Sequence, residues 1–303
     1  MKKLVILFLI VTGVQTYGQQ LPMYSQYMFN MMNINPAYAG VRNTGTVTVL
    51  YRNQWNTFPG APVTGSVSYD ERLKNNSNHG IGVQAYFDRI GIENRTGVQG
   101  NYSFKAELKN STLHVGINAG ALSYSADFGR TNPFDLGDPS LTSVRRGILP
   151  TVGAGLLYER EKWYVGFSIP TFFKTRIWNI GESRIEKAGK ETHYFLTTGY
   201  MHRIDDDIVL KPSVLVKLVA GAPLQYDLNM NVWFGEKFAL GASYRTGDAI
   251  LGMAELQLNS RLRFGYAYDH IISEIGNYSR NNHEFMLRFD IENADKTKAR
   301  KYF

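Results

Sequence analysis

The 303-residue sequence contains no cysteine. No disulfide can support the fold, and neither a lipoprotein anchor nor thiol chemistry is available. Long apolar runs are also missing. The only one, LVILFLIV at 4–11, falls well short of the about 20 residues a transmembrane helix needs. Blocks of basic residues are absent despite a formal net charge of +7, which argues against a nucleic-acid partner. Six histidines are scattered, at His79, His114, His193, His202, His270 and His283, without a HExxH or other zinc spacing. There is no Gly-x-Ser-x-Gly elbow, and Asp205-Asp206-Asp207 lacks the continuation of an EF-hand loop. Gly153-Ala154-Gly155 sits within an alternating run and not at a strand-to-helix turn, so it is not a phosphate loop. Asp135, Asp138 and Glu182 offer at most a cation or partner contact. The expectation is a protein that is not an enzyme and carries no cofactor or metal.

What is present begins with a leader. Lys2 and Lys3 precede the apolar run, and Thr16-Tyr17-Gly18 makes a cleavage site. Residues 1–18 therefore read as a signal peptide for export. Without Lys2 and Lys3 the charge falls to about +5, a mild surplus.

Beyond the leader the period is two. In TLHVGINAGAL (112–122), Leu113, Val115, Ile117, Ala119 and Ala121 share one face, and His114, Gly116, Asn118 and Gly120 the other. The runs WYVGFSI, RLRFGYAYD and EFMLRFDI repeat the pattern, which marks strands with one apolar side. Such segments lie near 44–54, 63–72, 80–89, 95–107, 111–125, 149–160, 163–173, 191–203, 207–219, 224–234, 237–246, 249–258, 261–270 and 283–292. The second face is polar or tiny: Arg52, Asp88, His114, Asn118, Asn229, Asn231, Arg245, Arg263, Glu284 and Arg288 fall on it. A soluble sandwich packs its apolar faces together. A membrane barrel turns them outward and keeps polar residues in a wet lumen. About ten residues per strand, tilted by about 45°, span roughly 23 Å, which suits the apolar band. The fold class expected is all-β, a transmembrane antiparallel barrel of about 14 strands over 41–292, with a charged periplasmic tail at 293–303.

The connections sort by parity. After even strands they are short and polar, such as LKNS (108–111), REK (160–162) and GEK (235–237). After odd strands they include the long stretches 127–147 and 174–191, with three short exceptions near 90–94, 220–223 and 247–248. Short periplasmic turns and longer outer loops are the habit of outer-membrane barrels.

The stretch MYSQYMFNMMNINPAYAG (23–40) does not fit the alternation. It is too polar to span a membrane and too rich in methionine and tyrosine for a free tail. Ser25 is placed to cap a short helix over about 26–33, ended by Pro36. Segment 19–40 is expected to plug the lumen or pack on a periplasmic partner, a plain leader being the alternative. Ser25-Gln26-Tyr27, Asn30, Asn35-Pro36-Ala37 and Ala39-Gly40 resemble the amino-terminal signature of the PorP/SprF family, outer-membrane proteins of the type IX secretion and gliding machinery of Bacteroidota. Tyr51-Arg52-Asn53-Gln54-Trp55, His193-Tyr194-Phe195, Lys211-Pro212-Ser213, Gly265-Tyr266-Ala267-Tyr268-Asp269 and Asn282-His283-Glu284 extend the resemblance over about 20–290.

The resemblance implies an outer-membrane location and a role in exporting or anchoring a secreted, adhesin-like cargo protein through its C-terminal sorting domain. It also implies contact with periplasmic and motor components of the type IX system, with membrane lipid around the barrel. The loops at 127–147 and 174–191 are the expected grip on the cargo. A general porin or small-solute channel is the competing reading. A soluble all-β binding module is a third.

Overall fold

The computed structural model describes residues 23–42, 44–73, 78–130, 144–172, 192–219, 222–235, 237–279 and 281–291. The expected signal peptide, most of the connections at 127–147 and 174–191, and the charged tail lie outside the described residues.

Alternating sequence becomes strand wherever it was expected. The strands are β1 (Thr46–Asn53), β2 (Val63–Arg72), β3 (His79–Ile90), β4 (Glu93–Leu108), β5 (Ser111–Asp127), β6 (Val144–Arg160), β7 (Trp163–Ile169) and β8 (His193–Tyr200). After Met201 the last of these resumes as the two-residue β9 (His202–Arg203). Then come β10 (Ile208–Val219), β11 (Gln225–Phe234), β12 (Phe238–Arg245), β13 (Ala249–Gln257), β14 (Leu262–Ile271) and β15 (Asn281–Asp290). Each pairs antiparallel with its sequence neighbour, β8 and β9 both lying on β10. β1 pairs with β15 and closes the ring. With β8 and β9 counted as one broken stave, this is a closed barrel of fourteen strands. Closure satisfies every strand edge, which lipid requires because it offers no hydrogen-bond partners. No helix among the described residues is long and apolar enough to cross a membrane.

Sidedness follows the alternation. On β5, Ile117 is 56% exposed and its neighbour Asn118 only 4%. On β15, Phe285, Leu287 and Phe289 face outward, while Glu284, Met286 and Arg288 are buried. The large residues exposed to the outside are apolar and aromatic nearly all the way round, as a lipid-facing surface demands.

Two strand ends differ from the sequence reading. β6 starts at Val144, not 149, and pairs with a β5 that reaches Asp127. Beyond the bilayer a strand needs no apolar side, so its polar end resembles a loop. β7 stops at Ile169, short of 173, because Pro170 has no N–H to give the ladder.

Residues 23–41 lie inside the ring. They form no α-helix; the expected helix over 26–33 is replaced by one-turn 3₁₀ pieces at Tyr27–Phe29, Met31–Asn33 and Pro36–Tyr38. Asn30, at φ −142°, separates the first two. Ser25 caps nothing, because its hydroxyl is engaged by a strand carboxylate. Tyr27, Met28, Phe29, Met31, Met32, Ile34 and Tyr38 form one buried cluster with Leu157, Tyr164, Phe195, Trp233 and Met286 of the wall. At this level apolar side chains of the segment and the wall pack together across the lumen. Each large side chain so buried contributes about 1.5–3 kcal/mol, enough in sum to hold a segment with little regular structure.

Glycines on the inner face make the room. A Cβ on Gly116 would strike the backbone of Pro36 and Ala37, one on Gly155 the side chain of Asn35, and one on Gly265 the side chain of Gln26. Gly40 turns the chain out of the lumen at φ +67°, with the Glu71 carbonyl where a side chain would begin.

Candidate functional site

The inner segment is held at its start by a buried ionic clamp. Arg52 of β1 and Glu284 of β15 are cross-strand partners at the closing seam. Arg52 donates to Asp269 of β14 at 2.6 Å, to the Ser25 hydroxyl at 2.7 Å and to the Met23 carbonyl at 2.9 Å. Glu284 lies 3.5 Å from Arg52 and accepts from the backbone N–H groups of Ser25, at 2.6 Å, and Gln26, at 2.8 Å. The Ser25 hydroxyl donates to Asp269 at 2.7 Å. Arg52, Asp269 and Glu284 are each no more than 2% exposed. One cation faces two carboxylates, and the N–H groups of the segment supply the remaining stabilisation. Charge-assisted bonds of this kind are the strong ones.

Further along, the segment bonds to strands all around the ring. Tyr27 accepts from Asn229 of β11 at 2.7 Å, and Asn30 donates to Ser68 of β2 at 2.8 Å. Ser168 of β7 donates to the Ile34 carbonyl at 2.7 Å. Asn35 donates to the Leu156 carbonyl of β6 at 3.0 Å and caps its own turn by accepting from Ala37. Ser103 of β4 donates to the Ala39 carbonyl, and Gly40 donates to Asp70 of β2. Tyr38 meets Tyr164 edge-on at 6.4 Å. Burial raises the Tyr27 phenol pKa well above its ordinary value, so it stays a neutral partner for Asn229.

The expected signature residues thus divide. Ser25, Gln26, Tyr27, Asn30, Asn35, Pro36, Ala37 and Gly40 lie within the barrel, and Arg52 anchors their start. Gln54 and Trp55 sit elsewhere, on the first connection. Gln54 donates to the Pro62 carbonyl, and the Trp55 N–H to Asn282 at 3.0 Å. Trp55 has φ +47°, a strained value for a bulky residue.

The expected lumen residues all point inward but do not form one site. Asp88 accepts from Thr64 at 2.8 Å, and His114 lies 3.4 Å from Glu159. Arg245 chelates Asp227 at 3.1–3.2 Å and reaches Asp248 at 3.4 Å. Arg263 pairs with Glu255 at 3.1 Å. Asn118 and Asn231 are buried in the wall. Sequence reasoning passed over Asp227, Glu255, Asp269 and Trp233 as site residues. Strand parity could have found the first two, since Asp227 stands directly opposite Arg245 and Glu255 shares the inner face with Arg263.

On the loop side of the segment a cavity of about 50 Å³ is walled by Tyr24, Tyr27, Tyr86, Thr151, Pro170 and Phe195. The strand ends that lead into the two long connections, at Asp127 and Val144 and at Ile169 and His193, lie at this end. The other end carries tight turns, such as Asp205–Ile208, where the Asp205 carboxylate accepts from the N–H groups of Asp207 and Ile208.

A sequence model of the type IX secretion system membrane protein PorP/SprF matches residues 16–289. The chain belongs to this family. No curated protein matched it. Among solved structures, the outer membrane protein Omp33 of Acinetobacter baumannii aligns at 11% identity and TM-score 0.46, covering 83% of this chain and 100% of that one. The KdgM porin aligns at 6% identity and TM-score 0.39, covering 82% and 99%. A triple mutant of Rhodopseudomonas blastica porin gives 10% identity and TM-score 0.34, again with 82% and 99% covered. Those scores are low, and the architecture here rests on the chain's own closed ladder. As a PorP/SprF protein, it is an outer-membrane-type barrel of the type IX secretion system, and its membership implies contact with other components of that system.

Proposed function

We propose that this barrel is a non-enzymatic holder in type IX secretion. It assists export or surface anchoring of a cognate secreted protein, engaged through that protein's C-terminal sorting domain. The observation that carries the reading is the seated segment. Residues 23–41 bond to strands from β1 to β15 and bury their apolar side chains against the wall. A barrel filled in this way is suited to present surfaces at its two ends and poorly suited to pass solutes. On this reading the cargo is engaged at the end of the long connections, and the turn end is left for periplasmic components. The general porin reading requires an open lumen and is not favoured by this packing.

Co-purification from outer membranes tests the proposal. The intact barrel should retain a large secreted protein, and removing that protein's sorting domain should release it. Retention that survives loss of the sorting domain would overturn the reading, as would recovery of the barrel alone from cells that display the cargo normally.

A further inference from the structure

The two ends of the inner segment sit at opposite ends of the barrel. β1 runs from the tight turns toward the loop end, and Arg52 is next to its last residue. Arg52 holds the Met23 carbonyl at 2.9 Å and the Ser25 hydroxyl at 2.7 Å. Asp269, near the end of β14, and Glu284, near the start of β15, also stand toward the loop end. Both bond to Ser25. Met23 is only partly buried. With Tyr24 it lines the cavity on the loop side.

Ala39 and Gly40 are fixed at the opposite level. The Gly40 N–H donates to Asp70, close to the end of β2. A Cβ on Gly80, the second residue of β3, would strike the Ala39 carbonyl. β2 ends and β3 begins at the turn end, and Thr46 opens β1 there, directly opposite Asp70. From Thr46 to Arg52 the strand rises roughly 20 Å.

A plug that entered from the turn end and returned to it would have both of its ends among the turns. Met23 and Ser25 would then neighbour Asp70 or Gly80, and they neighbour Arg52 and Asp269 instead. Packing also opposes a second pass of backbone from Met23 back to the turns. Tyr27, Met28, Phe29 and Ile34 pack with Leu157, Phe195 and Leu215 of the wall, and a returning chain would have to displace them.

Short turns face the periplasm in barrels of this type. We infer that the inner segment is threaded through the barrel, with Met23 opening on the cell surface and Gly40 on the periplasm, so that the chain ahead of Met23 is displayed outside, beside the long connections. The amino end thereby becomes a further element of the surface face. A threaded segment also cannot swing out on the Gly40 turn as a loose plug does, because its amino end would first have to be drawn back through the lumen. This goes beyond the cargo reading and does not rest on it.

Single cysteines in the full chain provide the test, since the sequence has none of its own. One variant carries a cysteine inserted directly before Met23. A second is Met23→Cys, which keeps the carbonyl that Arg52 holds. Phe58→Cys, on the exposed first connection, marks the loop end, and Asp206→Cys, in an exposed turn, marks the other. Heat-modifiable migration selects the variants that fold. Cells are treated with a maleimide carrying a polyethylene glycol too large to cross the outer membrane, before and after permeabilisation, and labelling is read as a gel shift. The inserted cysteine should label on intact cells as Phe58→Cys does, while Asp206→Cys should label only after permeabilisation. Labelling of the inserted cysteine or of Met23→Cys only after permeabilisation would overturn the threading. Neither variant labelling under either condition would overturn it too, because the amino end would then be enclosed.

Discussion

Arg52 and Glu284 face each other across the strand pair that closes the barrel, and both hold Ser25 of the inner segment. The seam and the segment therefore share their strongest polar contacts. Arg52→Ala would leave Asp269 and Glu284 buried with no cation, and breaking a buried pair in this way typically costs about 3–5 kcal/mol. Urea unfolding in detergent should show a loss of that order. A change under about 1 kcal/mol would mean that the clamp contributes little.

The same variant should loosen the segment before the barrel opens. Arg42 sits where the segment leaves the lumen, and its guanidinium is tied to Phe29. Trypsin should cleave after Arg42 faster in Arg52→Ala than in the parent, under conditions where the strands stay intact. Equal cleavage rates would separate the clamp from the seating of the segment.

The inward glycines give a second, independent handle. Gly155→Ala forces a methyl group into the Asn35 side chain, whereas Gly252→Ala meets nothing within 4 Å. Overpacking of this kind costs about 1–3 kcal/mol. The first variant should lower the temperature at which heat-modifiable migration is lost, and the second should leave it unchanged. Equal behaviour would place the segment elsewhere.

Sidedness has its own test. Ile117 faces lipid near the middle of β5, next to the inward Asn118. Ile117→Arg should cost roughly 2–4 kcal/mol in folding into bilayers if it lies near the midplane. A negligible cost would contradict an outward, lipid-facing Ile117.

The staves were legible because lipid on one side and the interior on the other enforce a period of two. Alternation located all fourteen, and it put Arg52, Asn118, Glu284 and Arg288 on the inner face where they are found. It failed where that constraint lapses. The far end of β6, around Val144 to Ile148, extends past the apolar band and so reads as loop. The path of residues 23–41 was hidden for a different reason: three 3₁₀ turns have no period, and their order is set by contacts with strands all along the chain, many of them distant in sequence, such as Ser25 with Asp269 and Ser168 with Ile34. One signal was present but unused. Gly116, Gly155 and Gly265 fall on the inward parity of their strands, and a gap in a wall implies something placed against it.

Ion conductance in a planar bilayer tests the seated segment most directly. The account predicts that the intact barrel passes almost no steady current, and that deleting residues 23–40 opens a persistent conductance through the same fourteen strands. An intact protein that conducts as strongly as the deletion would contradict it.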